Sequence, residues 1–180
     1  MAAIITNFQS PKTLDDLMHF IVHGGKTNLD IALTDTKDMQ TEWSVAKSNQ
    51  IGDVVFFLCA RTAVDHMRHL RKIVSEIDSD ILQRYTDYEY ALHEAFSGKI
   101  FAVGIITEAP FQRSDGDPTW YAKINLYQLL KAPIDLSEFK DFIKLNSFGA
   151  ITKLTAEQEK KLGDMVLAKN PDIVAFKVRR

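Results

Sequence analysis

A single cysteine, eight glycines and five prolines are spread over 180 residues, and each scarcity excludes something. With Cys59 alone there is no internal disulfide and no thiolate metal cluster. No apolar run approaches the roughly 20 residues that span a bilayer. The opening Met1-Ala2-Ala3-Ile4-Ile5-Thr6 has neither the basic lead nor the apolar length of a signal peptide. We therefore expect a cytoplasmic protein with no membrane partner. Charge of one sign is also missing: the net charge is −2, so any nucleic-acid binding has to use a local basic patch. There is no Ser-His-Asp order, nucleophile elbow, GxGxxG motif or P-loop. Gly24-Gly25-Lys26 lacks the spacing and the following helix of a phosphate loop, and reads as the end of a helix. What remains is an ordinary composition, 46% hydrophobic and 26% charged, of a size that one domain over residues 1–180 accommodates.

Three apolar runs organise the chain. Residues 54–60 (Val-Val-Phe-Phe-Leu-Cys-Ala) and 100–106 (Ile-Phe-Ala-Val-Gly-Ile-Ile) are apolar on both faces, short, and rich in β-branched and aromatic residues. They read as strands covered on both sides. From Thr119 to Leu129, Ala122, Ile124 and Leu126 alternate with Tyr121, Lys123, Asn125 and Tyr127, a strand with one decorated face. Leu29, Ile31 and Leu33 suggest an earlier half-buried strand, and residues 173–178 a final one.

Helical spacing fills the gaps. Ser10-Pro11 suggests an N-cap and first turn for a helix over 10–25, with Leu14, Leu17, Met18, Ile21 and Val22 as its stripe. An insert over 61–97 holds two helices broken near Asp78-Ser79-Asp80, basic in its first part and acidic in its second. Asp135 with Glu138, and Thr155 with Gln158, read as capping boxes of two later helices. The fold class expected is α+β: a mixed, largely antiparallel sheet that curls into a pseudo-barrel, with surrounding helices and the helical insert.

The segments Ile51-Gly52-Asp53-Val54-Val55-Phe56-Phe57, residues 98–106, Thr119-Trp120-Tyr121-Ala122-Lys123-Ile124 and residues 148–155 together resemble the strand order of PUA-like domains, and are most similar to EVE-type members related to YTH and ASCH domains. The resemblance covers roughly residues 29 to 170 and rests on pattern and order. The N-terminal helix and the insert depart from a minimal EVE domain. The resemblance implies a single PUA-like domain with a non-catalytic pocket that reads a modified base in DNA or RNA. In such a pocket aromatic faces return about 1–3 kcal/mol to a base taken out of its stack.

On that reading Trp43 and Trp120, both outside the hydrophobic runs, are the pocket walls, Phe148 stands at the rim, and Ser48 and Asn49 supply polar contacts. Each also has a plain structural role available: an indole as lid over the core, Ser48 and Asn49 as turn formers. Arg61, Arg68, Arg71 and Lys72 are the expected phosphate contacts, although a solvated helix face explains them equally. No catalytic residue and no cofactor are expected. The rival readings are a small hydrolase acting on nucleotides or nucleic acid, and a protein-interaction module; a homodimer is compatible with each reading, the nucleic-acid one included. For the hydrolase, Cys59 sits in apolar surroundings that raise a thiol pKa. The pairs His19/His23 and His66/His69 lack a third ligand, and Asp53, Asp115 and Asp117 are explained by turns. Elemental analysis of the purified protein at neutral pH is expected to find no stoichiometric zinc or manganese; one tightly held metal per chain would favour the hydrolase.

Overall fold

The structure is a computed structural model that describes residues 3–8, 10–22, 41–146 and 151–176. Among these the elements run β1 (Ala3–Phe8), α1 (Leu14–Val22), β2 (Thr41–Val45), β3 (Val54–Cys59), α2 (Arg61–Val74), α3 (Asp80–Phe96), β4 (Lys99–Ile106), β5 (Phe111–Gln112), β6 (Trp120–Asp135), α4 (Leu136–Phe139), β7 (Ile151–Leu154) and α5 (Ala156–Lys169). They belong to two compact units. One comprises residues 1–7, 35–58 and 99–180; the other comprises residues 8–34 and 59–98.

The second unit is helical. Thr13 and Asp16 cap α1 reciprocally: Asp16 N donates to Thr13 Oγ1 at 3.1 Å, and Thr13 N to Asp16 Oδ2 at 3.0 Å. Ser10, the expected cap, instead lies 3.3 Å from His66 Nδ1. Ser79 separates α2 from α3 as N-cap, its hydroxyl accepting from Leu82 N. Leu17, Val74 and Leu82 form the buried contact among the three helices.

The first unit is a seven-stranded curled mixed sheet in the order β2-β6-β4-β3-β1-β7, with β5 also on β6. The β4–β6, β2–β6, β5–β6 and β1–β7 pairs are antiparallel. Bonds from Ile106 N to Asp53 O and from Gly98 N to Cys59 O, at opposite ends of β3 and β4, make that pair antiparallel too. The helix-covered face buries Val54, Phe56, Leu58, Ile100, Val103, Leu130 and Ile134 under Phe139, Leu162 and Val166. Both expected capping boxes are present, at Asp135/Glu138 and Thr155/Gln158.

The curl has identifiable causes. The β4–β6 register shifts twice, between Val103 and Ile105 and between Ile100 and Ala102. In both places β6 carries the extra residues, and extra residues on one strand bend it and increase its twist. Pro133, which has no amide proton for a ladder, falls in the second irregularity. The bend carries one edge of the sheet to the other. Trp43 Nε1 on β2 donates to Thr6 Oγ1 on β1 at 2.9 Å, and Lys153 Nζ on β7 donates to Ser48 Oγ, just past β2, at 2.9 Å.

Several expectations change. Residues 3–8 form a strand, buried at Ala3, Ile4, Ile5, Thr6 and Phe8, where no element was expected. Trp43, outside the hydrophobic runs, lies within a strand, β2, that was not expected. Tyr127, expected on the decorated face, is buried because the first register shift reverses the side-chain alternation. Residues 173–176 make turns where a final strand was expected, with Val174 N held by Gln128 Oε1 at 2.6 Å. The strand at 29–33 and the turn at Gly24-Gly25 lie outside the described residues.

Gly104 permits the tight inner packing: a Cβ there would lie 2.5 Å from Ile124 Cγ2 and 3.6 Å from Phe57 Cε2. Gly104→Ala is expected to cost about 1–3 kcal/mol in urea unfolding, the usual range for overpacking. The penalty should shrink in an Ile124→Ala background. An unchanged midpoint would show that the inner face yields at no cost.

Candidate functional site at the mouth of the curled sheet

The inner face carries an aromatic cluster. Trp43 meets Phe57 edge to face at 5.4 Å between centroids, and Phe57 meets Tyr127 likewise at 5.1 Å. The β2–β6 register pairs Trp43 with Ala122 and Val45 with Trp120. Directly paired residues share a face and alternate residues repeat it, so Trp43 and Trp120 lie on one face as diagonal cross-strand neighbours. Trp43 is half-buried, anchored by its N–H on the fully buried Thr6. Trp120 is half-buried at the strand end, with Lys47 Nζ 5.2 Å from its ring centroid. Phe148 lies outside the described residues.

Ser48 is exposed and holds Lys153. Asn49 is buried and shapes the turn: its Oδ1 accepts from Ala46 N at 2.9 Å, and its Nδ2 donates to Asp53 Oδ2 at 2.9 Å. Asp53 Oδ2 also accepts from Gln50 N. Gly52, at φ 90°, turns the chain into β3 as its turn signal suggests.

The opposite face of the same strands is a polar network. Arg113 lies 4.0 Å over the Tyr121 ring and pairs with Glu42, while Lys123 pairs with Glu108. Tyr121 donates its hydroxyl to Asp117 Oδ2 at 2.6 Å. Bonding from the Thr119 side chain first, then from Tyr121 and the Thr119 amide, pulls the Asp117 carboxyl down to about 2. These contacts belong to the β5–β6 connection, in which Asp115 Oδ1 accepts from Asp117 N.

The basic residues of the insert are partly neutralised. Arg68 pairs with Asp65 at 2.6 Å, and Arg71 with Asp87 at 2.7 Å while stacking on Tyr90. Arg61 and Lys72 are exposed on the same helix, which belongs to the helical unit.

A third constellation escaped sequence reasoning because Cys59 lies far in the chain from the helical pair Glu89 and His93. Cys59 Sγ lies 3.6 Å from His93 Nδ1, and His93 Nε2 lies 3.6 Å from Glu89 Oε2. All three are at most 1% exposed. Burial first, and the Glu89 charge second, push the Cys59 thiol up to about 12. A thiol so protonated and enclosed is a poor nucleophile. No group of three or more His, Cys, Asp and Glu side chains among the described residues is arranged to hold a metal ion. None of the described helices is long and apolar enough to cross a membrane.

Compared with family models, with curated proteins and with solved structures, the chain matches none.

Two measurements check this geometry. Trp43→Phe keeps a ring but leaves the buried Thr6 hydroxyl without its donor, and is expected to cost about 1–3 kcal/mol. Adding Thr6→Val should recover much of it; equal stability of Trp43→Phe and wild type would mean the bond contributes nothing. The second concerns Asp117. Its folded pKa lies below the ordinary carboxylate value of about 3.9. Ionised Asp117 therefore stabilises the β5–β6 connection above that value, and the contribution falls away as pH drops towards 2. A carboxyl NMR titration should give a midpoint near 2 in the wild type and a higher one in Tyr121→Phe. Equal midpoints would remove Tyr121 from the cause.

Proposed function

We propose that this chain is a cytoplasmic, non-catalytic nucleic-acid-binding module of PUA-like, EVE-like type. It stacks a base of DNA or RNA on Trp120 at the mouth of the curled sheet, with Trp43 further inside and Ser48 and Asn49 beside it. A modified base is the finer form of the reading. The observation that carries it is the pair of half-buried indoles on one inner face, with Trp120 at the end of its strand. An aromatic ring on a core-facing position ordinarily gains by full burial, and a half-open ring at a barrel mouth is a platform on which any base can stack. Lys47 over the ring adds positive charge where a phosphodiester would follow the base.

A second reading is favoured by one observation in the helical unit. Ile81 and Tyr88 on α3 are 58% and 50% exposed. With Arg84 and Tyr85 they line a cavity of about 370 Å³. An apolar row of this kind suits a protein-interaction surface.

Tryptophan fluorescence during titration with short single-stranded DNA and RNA separates the two. Base stacking should quench Trp120, and Trp120→Ala should lose about 1–3 kcal/mol of binding, or roughly 5- to 150-fold in affinity. Wild-type protein that binds neither polymer at low salt would sink the nucleic-acid reading. Retained affinity in Trp120→Ala would move the platform elsewhere.

A further inference from the structure

We infer that Lys47, Ser48 and Lys153 form a phosphodiester clamp at the mouth of the sheet, so that the backbone of the bound strand is held there and not on the basic helix α2. The inference rests on the nucleic-acid reading and adds to it the residues that grip the backbone.

A cation already matched to a carboxylate gains little from a phosphate, because it must first give up its partner. Arg68 and Arg71 are so matched, and so are Arg113, Lys123, Lys131, Lys160 and Lys169. Lys47 and Lys153 have no carboxylate partner among the described residues: the contact of Lys47 is the Trp120 ring, and that of Lys153 is the Ser48 hydroxyl. Lys72 on α2 shares this freedom. Lys47 and Ser48 are consecutive, and Ser48 is the atom group to which Lys153 is tied.

The geometry turns two exposed ammonium groups into one site. Lys153 arrives from β7, the far edge of the sheet, paired with Ile4 on β1, while Ser48 follows β2 at the other edge. Only the curl brings them within 2.9 Å. In this bond the serine oxygen accepts, so its own proton can be donated to an anion. The site thus offers a hydroxyl donor tied to one ammonium group, and the next residue in the chain carries a second ammonium group against a half-buried indole. An anion bound there sits next to a stacking surface. A nucleotide has that layout, a negatively charged phosphodiester one sugar away from a flat base.

The test compares Lys47→Gln/Lys153→Gln with an α2 variant carrying Arg61→Gln, Arg68→Gln, Arg71→Gln and Lys72→Gln, each checked for an unchanged melting curve. The probes are a fluorescein-labelled oligothymidylate and an abasic strand of the same length, titrated across a range of salt. For single strands each phosphate contact contributes about 0.7 to the slope of log affinity against log salt, so losing both lysines should flatten it by about 1.4. Affinity for both probes should fall by about tenfold or more at low salt, where counterion release is most favourable. The α2 variant should bind like wild type. The abasic strand should be indifferent to Trp120→Ala yet weakened by the lysine pair. If oligothymidylate binds and stacks on Trp120 while the lysine variant keeps the full slope, the clamp is wrong and the base reading stands. A slope that falls only in the α2 variant overturns the clamp in favour of the helix. Absence of binding by the wild type to either probe overturns both.

Discussion

The arrangement of the first unit depends on closure of its sheet. β6 is long enough to pair β2 and β5 at its start and β4 over the rest, and the two register shifts in it supply the bend. Once bent, the sheet brings β2 against β1, where the indole N–H of Trp43 meets the buried hydroxyl of Thr6. A buried hydroxyl without a partner is costly, so this bond both rewards closure and specifies its register. Gly104 and Ala102 leave the room on the inner face that Phe57 and Ile124 occupy.

Closure also separates two kinds of surface on the same strands. Outward, Tyr121, Arg113, Glu42 and Asp117 satisfy one another in a network that holds the β5–β6 connection. Inward, apolar and aromatic side chains are buried, except that Trp43 and, at the strand end, Trp120 are half-buried. The proposed site is at this strand end. Its charge comes from the loop after β2 and from β7, so it exists only when the edges meet.

Much of the element pattern was legible in the chain. Runs apolar on both faces became β3 and β4, buried throughout apart from the half-exposed Lys99. The two later capping boxes and the Ser79 break followed from local hydrogen-bonding chemistry that needs few neighbours. The first helix shows the limit of that reasoning. Ser10-Pro11 and Thr13 both offer a plausible start, and the choice fell to Thr13 because Asp16 returns its bond while Ser10 is taken up by His66. Strand β1 was illegible because its six residues carry no alternation that distinguishes them from a short apolar lead.

By itself, then, the sequence determined which segments are strands covered on both sides, where most helices begin, and that two tryptophans stand apart from the apolar runs. These are properties of neighbouring residues, set by backbone propensity and local bonding. The tertiary structure decided the faces and the pairings. Trp43 and Trp120 share a face through the β2–β6 register, and Tyr127 turns inward through an extra residue in β6. Cys59 meets His93, Lys153 meets Ser48, and Arg68 and Arg71 of α2 meet their carboxylates. Except for the short helical pair of Arg68 with Asp65, these contacts join residues far apart in the chain. A single-residue slip in register reverses every side chain beyond it, and no local signal records where such a slip will fall.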